Sequence, residues 1–222
     1  MPAEQRGRDF ILWGSKGHAL VLADIIALAG GRVVALVDND PDAVSVLAGV
    51  PLHIGEAGLR QALARHDASA LCGLAAIGGG RGRDREDIRR LFLSLGLRTP
   101  ALIHPRAHVA ESANIEAATH VMAGAVVASG ARIGADCIVN HGAIVEHETV
   151  LDAGCHVGPG ATLCGCVSAG RYAFIGAGSV VLPRLRLGEG CVVGAGSVVT
   201  RPVAAGAVVR GNPAREAPSR KD

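Results

Sequence analysis

Aromatic residues are scarce in this sequence, at 2% of its 222 residues. Few side chains could stack on bases, so the composition argues against a protein that binds RNA or single-stranded DNA. The formal net charge of +2 is also too small to attract nucleic acid in general. The sequence therefore predicts no nucleic-acid partner.

Long apolar runs are lacking as well. No run approaches the roughly 18 residues needed to cross a bilayer, and the N-terminal stretch MPAEQRGRDF has no apolar centre of the signal-peptide kind. We therefore expect a cytoplasmic protein without a membrane span. The six cysteines form no C-x-x-C pair, because the closest two, Cys164 and Cys166, are separated by a single residue. In a reducing compartment they predict neither disulfides nor a paired-cysteine metal site.

The second half of the sequence contains a six-residue repeat. From Ile103 to Val199, every sixth residue is Ile, Leu or Val, except for Ala169. The residue four places further on is usually small, and glycine often follows the aliphatic residue, as in Ile133-Gly134. A helix repeats about every 3.6 residues and a strand about every two, so neither produces this period.

A triangular coil explains the period of six. Each side holds a short strand and a turn, three sides of six residues make a coil of 18, and coils stack at the strand spacing of about 4.8 Å. The aliphatic and the small residue of each repeat point inward, which predicts stacked coils from Ile103 to Ala204. Cys137, Cys155 and Cys191 occupy the small position, so we interpret them as core residues.

The first hundred residues follow another pattern. The apolar run DFILW is followed by a glycine turn and helical spacing, and a second run, RVVALV, ends at acidic residues. Later, ALCGLAAIGGG precedes an amphipathic segment that is closed by Gly96. Strand, turn, helix and strand in this order predict a parallel α/β unit.

A nucleotide could bind at the start of this unit. Gly14 and Gly17 would let a phosphate approach the backbone where a helix begins near His18. Asp38 and Asn39 follow the second strand, where Rossmann folds carry a ribose-binding acid. The alternative is a tight strand-to-helix turn without a ligand.

Together, the two halves resemble the hexapeptide-repeat nucleotide-sugar acetyltransferases. The shared motifs are G-x-x-G-H, the acid after the second strand, A-I-G-G-G, L-I-H-P and N-x6-H-E, spread over Asp9 to Arg215. Members acetylate UDP-4-amino sugars or GDP-perosamine, and related enzymes O-acetylate sialic acids. The resemblance implies a Rossmann-like α/β domain over residues 1–102, which holds the nucleotide sugar. It implies a left-handed parallel β-helix with a C-terminal tail over residues 103–222, which forms a homotrimer and binds acetyl-CoA between neighbouring β-helices.

The segment VNHGAIVEHETVLDAGCH carries the candidate catalytic residues. Gly165 lies 18 residues after His147, one predicted coil further on, and would leave space and an exposed N–H beside the imidazole. The resemblance implies that His147 is the general base, that Glu148 is its accompanying acid and that the Gly165 N–H is the oxyanion donor. It also implies that Asn140 is an active-site asparagine and that His156 lies near the acetyl group. The implied reaction is direct transfer, in which neutral His147 takes a proton as the amine of a nucleotide-linked 4-amino-4,6-dideoxy sugar attacks the thioester.

Each of these side chains has a simpler interpretation. An exposed histidine on a solenoid is usually only solvated, and we interpret Glu146 in that way. His141 has no role in the resemblance, so we place it on the surface or at the trimer interface. Cys164 could instead carry an acyl group in a two-step mechanism, although only nearby histidines could activate it.

The resemblance also implies the residues that hold the nucleotide sugar. They are Gly14, Ser15, Lys16, Gly17, His18, Asp38, Asn39, Gly78 and Gly79. Two places depart from the family. Lys16 stands where relatives usually carry a small residue, and it either reaches a phosphate, alters the nucleotide pose or is only a surface lysine. Gly79 and Gly80 stand where relatives often carry asparagine or aspartate, which affects how the sugar is recognised.

The coenzyme is expected along the C-terminal coils. The implied contacts are His156, Gly165, Ala177, Gly178, Ala195, Gly196, Arg201 and Arg215. Small residues in IGAGSVV and VGAGSVV would leave a smooth groove for the pantetheine arm, and RGNPAR resembles the segment that closes such enzymes near the adenine. Arg184 and Arg186 could also meet phosphates, or all four arginines could serve solubility alone.

Three other functions remain open at this point. The same histidine could support O-acetylation of a sialic-acid-type sugar. Trimeric left-handed β-helices also include carbonic anhydrases, and His141, His147 and His156 could bind a metal across subunits. A catalytically silent scaffold is the last alternative. We favour acetyl transfer without a metal, because the α/β unit and the N-x6-H-E motif have no purpose in a carbonic anhydrase.

Overall fold

The computed structural model describes residues 7–217. Contacts divide the chain into two compact units. The first comprises the residues up to Gly78 together with Arg83–Pro105, and the second comprises Gly79–Gly82 and the residues from Arg106 onward. A short glycine-rich segment of the first half of the sequence is thus part of the second unit. Within the described residues, no helix has the length and apolar character that a bilayer span requires.

The first unit is a parallel sheet with helices. Its elements are β1 (Asp9–Trp13), α1 (Gly17–Leu28), β2 (Arg32–Asp38), β3 (Leu52–Ile54), α2 (Gly55–Leu63), a 3-10 turn (Ala68–Ala70), β4 (Leu71–Ala75), α3 (Gly82–Ser94) and β5 (Leu102–Ile103). The four parallel strands lie in the order β3-β2-β1-β4. The predicted strands and helices are present, whereas β3 and α2 are additional to the prediction.

The strand order creates a crevice at one edge of the sheet. The chain leaves β1, builds β2 and β3 on one side, and then returns to form β4 on the other side. Ligands of open α/β sheets bind at such a reversal, beyond the carboxyl ends of the strands. Here these ends are Trp13 and Ala75. The central strand is apolar because helices cover it, and Phe10, Ile11 and Leu12 are fully buried.

The second unit is a left-handed parallel β-helix with three sheets. Sheet 1 contains β8 (His120–Val121), β11 (Ile138–Val139), β14 (His156–Val157), β17 (Phe174–Ile175), β20 (Val192–Val193), β22 (Val208–Gly211) and the antiparallel β23 (Ala214–Glu216). Sheet 2 contains β6 (His108–Val109), β9 (Val126–Val127), β12 (Ile144–Val145), β15 (Thr162–Leu163), β18 (Val180–Val181) and β21 (Val198–Val199). Sheet 3 contains β7 (Asn114–Ile115), β10 (Arg132–Ile133), β13 (Val150–Leu151), β16 (Ser168–Ala169) and β19 (Arg186–Leu187).

The pairing register follows the predicted coil length. Ile144 pairs with Thr162, and Val145 with Leu163, so residues 18 positions apart lie on consecutive coils. The second residue of each short strand points inward, and Val145 and Leu163 are fully buried. Ala169, the one departure from the aliphatic pattern, is also an interior residue, with 2% exposure. The two predicted fold classes are therefore confirmed.

Most corners of the coils contain one residue with a left-handed backbone. After sheet 1 this residue is always glycine, at Gly124, Gly142, Gly160, Gly178 and Gly196. After sheet 2 the same role falls to Gly130, Glu148, Cys166 and Arg184. L-residues with a side chain rarely adopt this conformation. The corner after sheet 2 therefore carries a column of side chains in an unusual backbone conformation, and it is the corner that contains the predicted base.

Candidate active site

The predicted base and its acid meet in the turn between β12 and β13. The imidazole Nδ1 of His147 lies 3.3 Å from Oε2 of Glu148, and both side chains are exposed. The backbone N–H of His147 donates to Oε2 of Glu146 at 3.1 Å, so Glu146 holds the turn in addition to being solvated. A carboxylate at Nδ1 favours the tautomer with its proton on that nitrogen, which leaves Nε2 able to accept a proton.

Gly165 lies beside this imidazole, one coil further on. A Cβ atom at Gly165 would stand 2.6 Å from Cε1 of His147 and would also collide with Nε2. The backbone of Gly165 has no positive φ, so it is the imidazole that requires glycine here. Within residues 7–217 the Gly165 N–H donates no hydrogen bond to a protein acceptor. The acceptor nitrogen of the predicted base and the N–H of Gly165 are therefore on neighbouring residues, and acyl transfer requires a base and a donor close together.

The two cysteines that flank Gly165 have different surroundings. The Sγ of Cys166 lies 3.7 Å from Oε2 of Glu148. The carbonyl of Cys164 accepts a hydrogen bond from Thr149 Oγ1, and in the described part of the chain no histidine or carboxylate bonds its thiol. The geometry thus offers no activating base for an acyl-enzyme at Cys164.

Asn140 and His156 form a second group of polar side chains. The amide nitrogen of Asn140 lies 3.3 Å from Nε2 of His156, and Nδ1 of His156 lies 3.0 Å from the carbonyl of Gly79. The ring can donate to Gly79 only through Nδ1–H, so its Nε2 accepts from Asn140. The amide oxygen of Asn140 accepts from the backbone N–H of His141 at 2.8 Å and lies 2.9 Å from Nδ1 of that imidazole. The contacts made by His141 and Gly79 were not predicted from the sequence.

The two groups lie on different parts of each coil. Asn140 follows β11 at the corner after sheet 1, and His156 begins β14 in sheet 1 itself. His147 follows β12 and lies at the corner after sheet 2. His156 is 5% exposed and packs edge-to-face on Phe174, with ring centroids 5.2 Å apart. A single chain therefore brings together His147, Glu148 and Gly165, and it separately brings together Asn140 and His156.

At the reversal of strand order, Gly14 and Ser15 shape the predicted nucleotide loop. A Cβ at Gly14 would stand 2.5 Å from the carbonyl oxygen of Ala76, and φ is +121° there, so only glycine fits. The backbone N–H and the hydroxyl of Ser15 both donate to Oδ2 of Asp38, at 2.9 and 2.7 Å. Burial alone would raise the pKa of Asp38, but hydrogen bonds from Ser15 and from backbone N–H groups outweigh it and lower the pKa. Asp38 thus anchors this loop in its ionised form.

The start of α1 follows directly. Lys16 is the N-cap residue but makes no capping bond with its side chain, and Gly17 is the first helical residue. A Cβ at Gly78 would be 3.9 Å from Nδ1 of His18, so the loop after β4 reaches the first turn of α1. Asn39 is exposed beyond the end of β2. The loop between β1 and α1 thus ends at a helix N-terminus, and helix N-termini are suitable places for a phosphate.

The predicted coenzyme residues lie in the later turns of the β-helix. Ala177 with Gly178 and Ala195 with Gly196 occupy equivalent turns on consecutive coils, after β17 and β20. Arg201 and Arg215 both line a cavity of about 170 Å³ beside the hairpin of β22 and β23. That hairpin turns at a cis peptide bond between Asn212 and Pro213. A second cavity, of about 450 Å³, lies on sheet 3 and is lined by residues including Arg132, Asp152 and Arg171.

Similar proteins share this architecture. Residues 170–201 match the family model of bacterial transferase hexapeptide (six repeats). The acetyltransferase domain of PglB from Neisseria gonorrhoeae, solved with acetyl coenzyme A, is 32% identical, with a TM-score of 0.83 over 95% of this chain and 99% of that one. PerB from Caulobacter crescentus, solved with CoA and GDP-perosamine, is 34% identical, with a TM-score of 0.86 over 94% and 97%. The chain belongs to the hexapeptide-repeat nucleotide-sugar acetyltransferases. No curated protein sequence matches it.

Membership of this family confirms the predicted relationship and makes the chain an acetyl-CoA-dependent sugar acetyltransferase. It supports neither the carbonic anhydrase alternative nor a silent scaffold. WeeI from Acinetobacter baumannii, at 22% identity and a TM-score of 0.83 over 95% of this chain and all of its own, shares the fold.

Proposed function

We propose that this acetyltransferase transfers the acetyl group of acetyl-CoA to the amine of a nucleotide-linked 4-amino-4,6-dideoxy sugar. The observation that carries the proposal is the closeness of His147 and Gly165, which places a proton acceptor next to a backbone donor. PerB was solved with an amino-sugar nucleotide, GDP-perosamine, and with CoA. Because acetyl-CoA is the donor, we place the reaction in the cytoplasm.

In this mechanism His147 acts at a single atom. Glu148 keeps the imidazole proton on Nδ1, so Nε2 removes one proton from the amine as its nitrogen bonds to the thioester carbon. The carbonyl oxygen becomes an oxyanion and accepts a hydrogen bond from the Gly165 N–H. When the carbon–sulfur bond breaks, the proton on Nε2 passes to the sulfur, and coenzyme A leaves as the thiol. No metal is needed in these steps.

The separation of the two polar groups supports a site made by two copies of the chain. We propose that Asn140 and His156 of one subunit face His147 of the next within a homotrimer. The outward positions of sheet 2, between the two corners, are mostly β-branched and half-buried: Val126, Ile144, Thr162, Val180 and Val198. A flat apolar face of this kind suits contact with a second copy.

We propose that the nucleotide is held by the first unit. Gly14 allows the loop to approach Ala76 closely, and Lys16 is the N-cap residue of α1. A diphosphate could accept hydrogen bonds there, with the Lys16 ammonium as a counter-charge. Asp38 positions this loop through its hydrogen bonds with Ser15, in addition to any bond that it makes with a ribose hydroxyl. Arg201 and Arg215 are assigned to the phosphates of the coenzyme.

The first experiment measures thiol release from acetyl-CoA with UDP-, GDP- and dTDP-linked 4-amino-dideoxy sugars, alongside CMP-sialic acid and free sialic acid. We expect turnover with one amino sugar. It should disappear in His147→Ala and persist in His108→Ala, which removes an exposed histidine of sheet 2. Turnover only with a sialic acid would mean that the acetyl acceptor is a hydroxyl group and not an amine. Unchanged turnover in His147→Ala would overturn the assignment of the base.

A mixing experiment tests the shared site. His147→Ala and Asn140→Ala are each expected to be nearly inactive alone. If the site lies between subunits, their co-expression restores activity, because about a quarter of the sites in random mixed trimers contain both intact residues. Activity that stays absent in trimers shown by sedimentation to be mixed would mean that one chain holds the whole site. A monomer mass at micromolar concentration would refute the trimer.

A further inference from the structure

A third side chain lies next to the proposed base and has no part in the mechanism above. The Sγ of Cys166 is 3.7 Å from Oε2 of Glu148, which in turn is 3.3 Å from Nδ1 of His147. One ligand atom from each of these residues lies within 4.8 Å of the other two. Nitrogen, oxygen and sulfur donors thus converge at the corner after sheet 2.

The register of the β-helix is the reason why they converge. Glu148 and Cys166 are 18 residues apart, so they occupy the same position of the same corner on consecutive coils. Both have left-handed backbones, with φ of 57° and 61°, where glycine is the residue that fits without strain. The coil below has glycine at this position, Gly130. Cys166 and Glu148 therefore carry side chains at positions where the backbone conformation favours glycine.

The spacing of the donors agrees with tetrahedral coordination. Zinc binds nitrogen and carboxylate oxygen at about 2.1 Å and sulfur at about 2.3 Å. A tetrahedral ion with these bonds holds nitrogen and oxygen about 3.4 Å apart, and sulfur and oxygen about 3.6 Å apart. The observed separations are 3.3 Å and 3.7 Å. The third pair of donor atoms, on His147 and Cys166, lies within 4.8 Å. His147 is exposed and Cys166 is partly exposed.

We propose that His147, Glu148 and Cys166 form a reversible inhibitory site for a thiophilic divalent cation such as Zn²⁺. The effect on activity rests on the proposed role of His147 as base. The ion binds Nδ1, Oε2 and the Cys166 thiolate, and the thiol proton is released to solvent. Water fills the fourth position. Mg²⁺ and Ca²⁺, which prefer sets of oxygen ligands, do not compete for this set.

Binding at Nδ1 inactivates the base directly. A neutral imidazole that coordinates through Nδ1 carries its one proton on Nε2. That nitrogen then has no lone pair with which to accept the proton of the amine, and Glu148 no longer holds the productive tautomer. Acetyl transfer therefore stops although the fold is intact, and removal of the ion restores it.

Binding is tested without substrate by titrating Co²⁺ into the purified, intact protein. A thiolate ligand gives a sulfur-to-cobalt charge-transfer absorption, which we expect to saturate at one ion per chain and to be displaced by Zn²⁺. Cys166→Ser should abolish this band and weaken Zn²⁺ binding by about tenfold or more. The matched control is Cys164→Ser, two residues away, which should keep the band. No thiolate band, or a band lost in Cys164→Ser instead, would overturn the proposal.

Inhibition is measured separately on the intact enzyme. Zn²⁺ should inhibit the wild type and Cys164→Ser, and a chelator should restore full turnover. Cys166→Ser should keep its basal turnover and need at least about tenfold more Zn²⁺ for the same inhibition. Equal sensitivity of the two serine variants would refute the inhibitory role. A cobalt band in a protein without acetyl transfer would refute the proposed function but leave the metal site standing.

Discussion

The imidazole of His147 packs against the backbone of Gly165 on the next coil so closely that a Cβ atom at residue 165 would overlap the ring. The relationship depends on the coil length, because a shift of one residue would place Cys164 or Cys166 beside the ring instead. Glycine can be needed for a left-handed backbone or for space beside a neighbouring group. The backbone of Gly165 lies outside the left-handed region, so only the second reason applies here. Glycine is needed here because the imidazole of His147 leaves no space for a side chain.

Gly165→Ala should therefore reduce activity without damaging the fold. The added methyl group would displace the imidazole by a fraction of an ångström to an ångström, and misplacement on that scale can cost about 10²-fold in rate. We expect kcat to fall by roughly that factor, with little change in melting temperature, in steady-state assays and thermal unfolding.

A double variant isolates the cause. In a His147→Ala background the same Gly165→Ala change has no imidazole to displace, so it should lower the residual rate only slightly. If the two losses multiply instead, residue 165 acts independently of the base, and the steric explanation is wrong.

Asp38 should make the first unit sensitive to acid. Its pKa is lowered in the folded chain, because hydrogen bonds from Ser15 and backbone N–H groups outweigh the effect of burial. A lowered pKa contributes stability above the unfolded value of about 3.9, and this contribution is lost as the pH falls through the folded value. Asp38→Asn should thus cost roughly 1–2 kcal/mol near pH 7, as expected for lost hydrogen bonds to a charged group.

The measurement is urea unfolding of the wild type and the variant from pH 7 to pH 3. The difference should shrink as the pH approaches the pKa of Asp38 from above. Asp24→Asn, at an exposed position of α1, is the control and should change stability little at any pH. A constant penalty across the range would mean that the carboxylate charge is not what holds Ser15.

The β-helix was predictable from the sequence because each coil repeats the same steric requirement. Interior positions such as Val145 and Leu163 favour aliphatic residues, and the turn after sheet 1 carries glycine on five consecutive coils, so the period appears directly in the residues. The same periodicity predicted that His147 and Gly165 are neighbours. In contrast, β3 and α2 are short, and within LHIGEAGLRQAL only Gly58, Leu59 and Ala62 are buried, so few apolar positions mark these elements in the sequence.

The division of the polar residues into two groups could not be predicted in this way. Asn140 and His147 are seven residues apart, yet they lie at different corners, because one side of the coil separates them. The bond between His156 and the carbonyl of Gly79 joins positions 77 residues apart, and a backbone carbonyl has no signature in the sequence. Proximity of this kind is set by folding of the whole unit.

The six cysteines should differ sharply in reactivity. Cys72, Cys137, Cys155 and Cys191 are buried, whereas Cys164 and Cys166 are partly exposed. Burial raises the pKa of the Cys191 thiol to about 11, so almost no thiolate exists there near pH 8. The hydrogen bond with Cys137, together with burial, raises the pKa of Cys155 as well. A maleimide at pH 8 should label the native chain at Cys164 and Cys166 only.

Mass spectrometry of labelled peptides checks this prediction. Labelling in urea should reach the four buried cysteines too, which confirms that burial protects them. Rapid native labelling of Cys137 or Cys191 would contradict their assignment to the interior of the coil.

The corner after sheet 2 offers a last test, on backbone strain. Arg184 is exposed and has a left-handed backbone with φ of 62°. A residue with a side chain costs about 1–2 kcal/mol in this conformation, and glycine avoids that cost. Glycine also has more conformational freedom in the unfolded chain, which cancels roughly half of the stability gained. Arg184→Gly should therefore raise the free energy of unfolding by about 0.5–1 kcal/mol.

Gly160→Ala is the matched reverse change. It lies at a left-handed corner with open space around the added methyl group, and it should lower the free energy of unfolding by about 1 kcal/mol. Urea denaturation of both variants measures the two changes, and effects of the same sign would show that backbone conformation does not control stability at these corners.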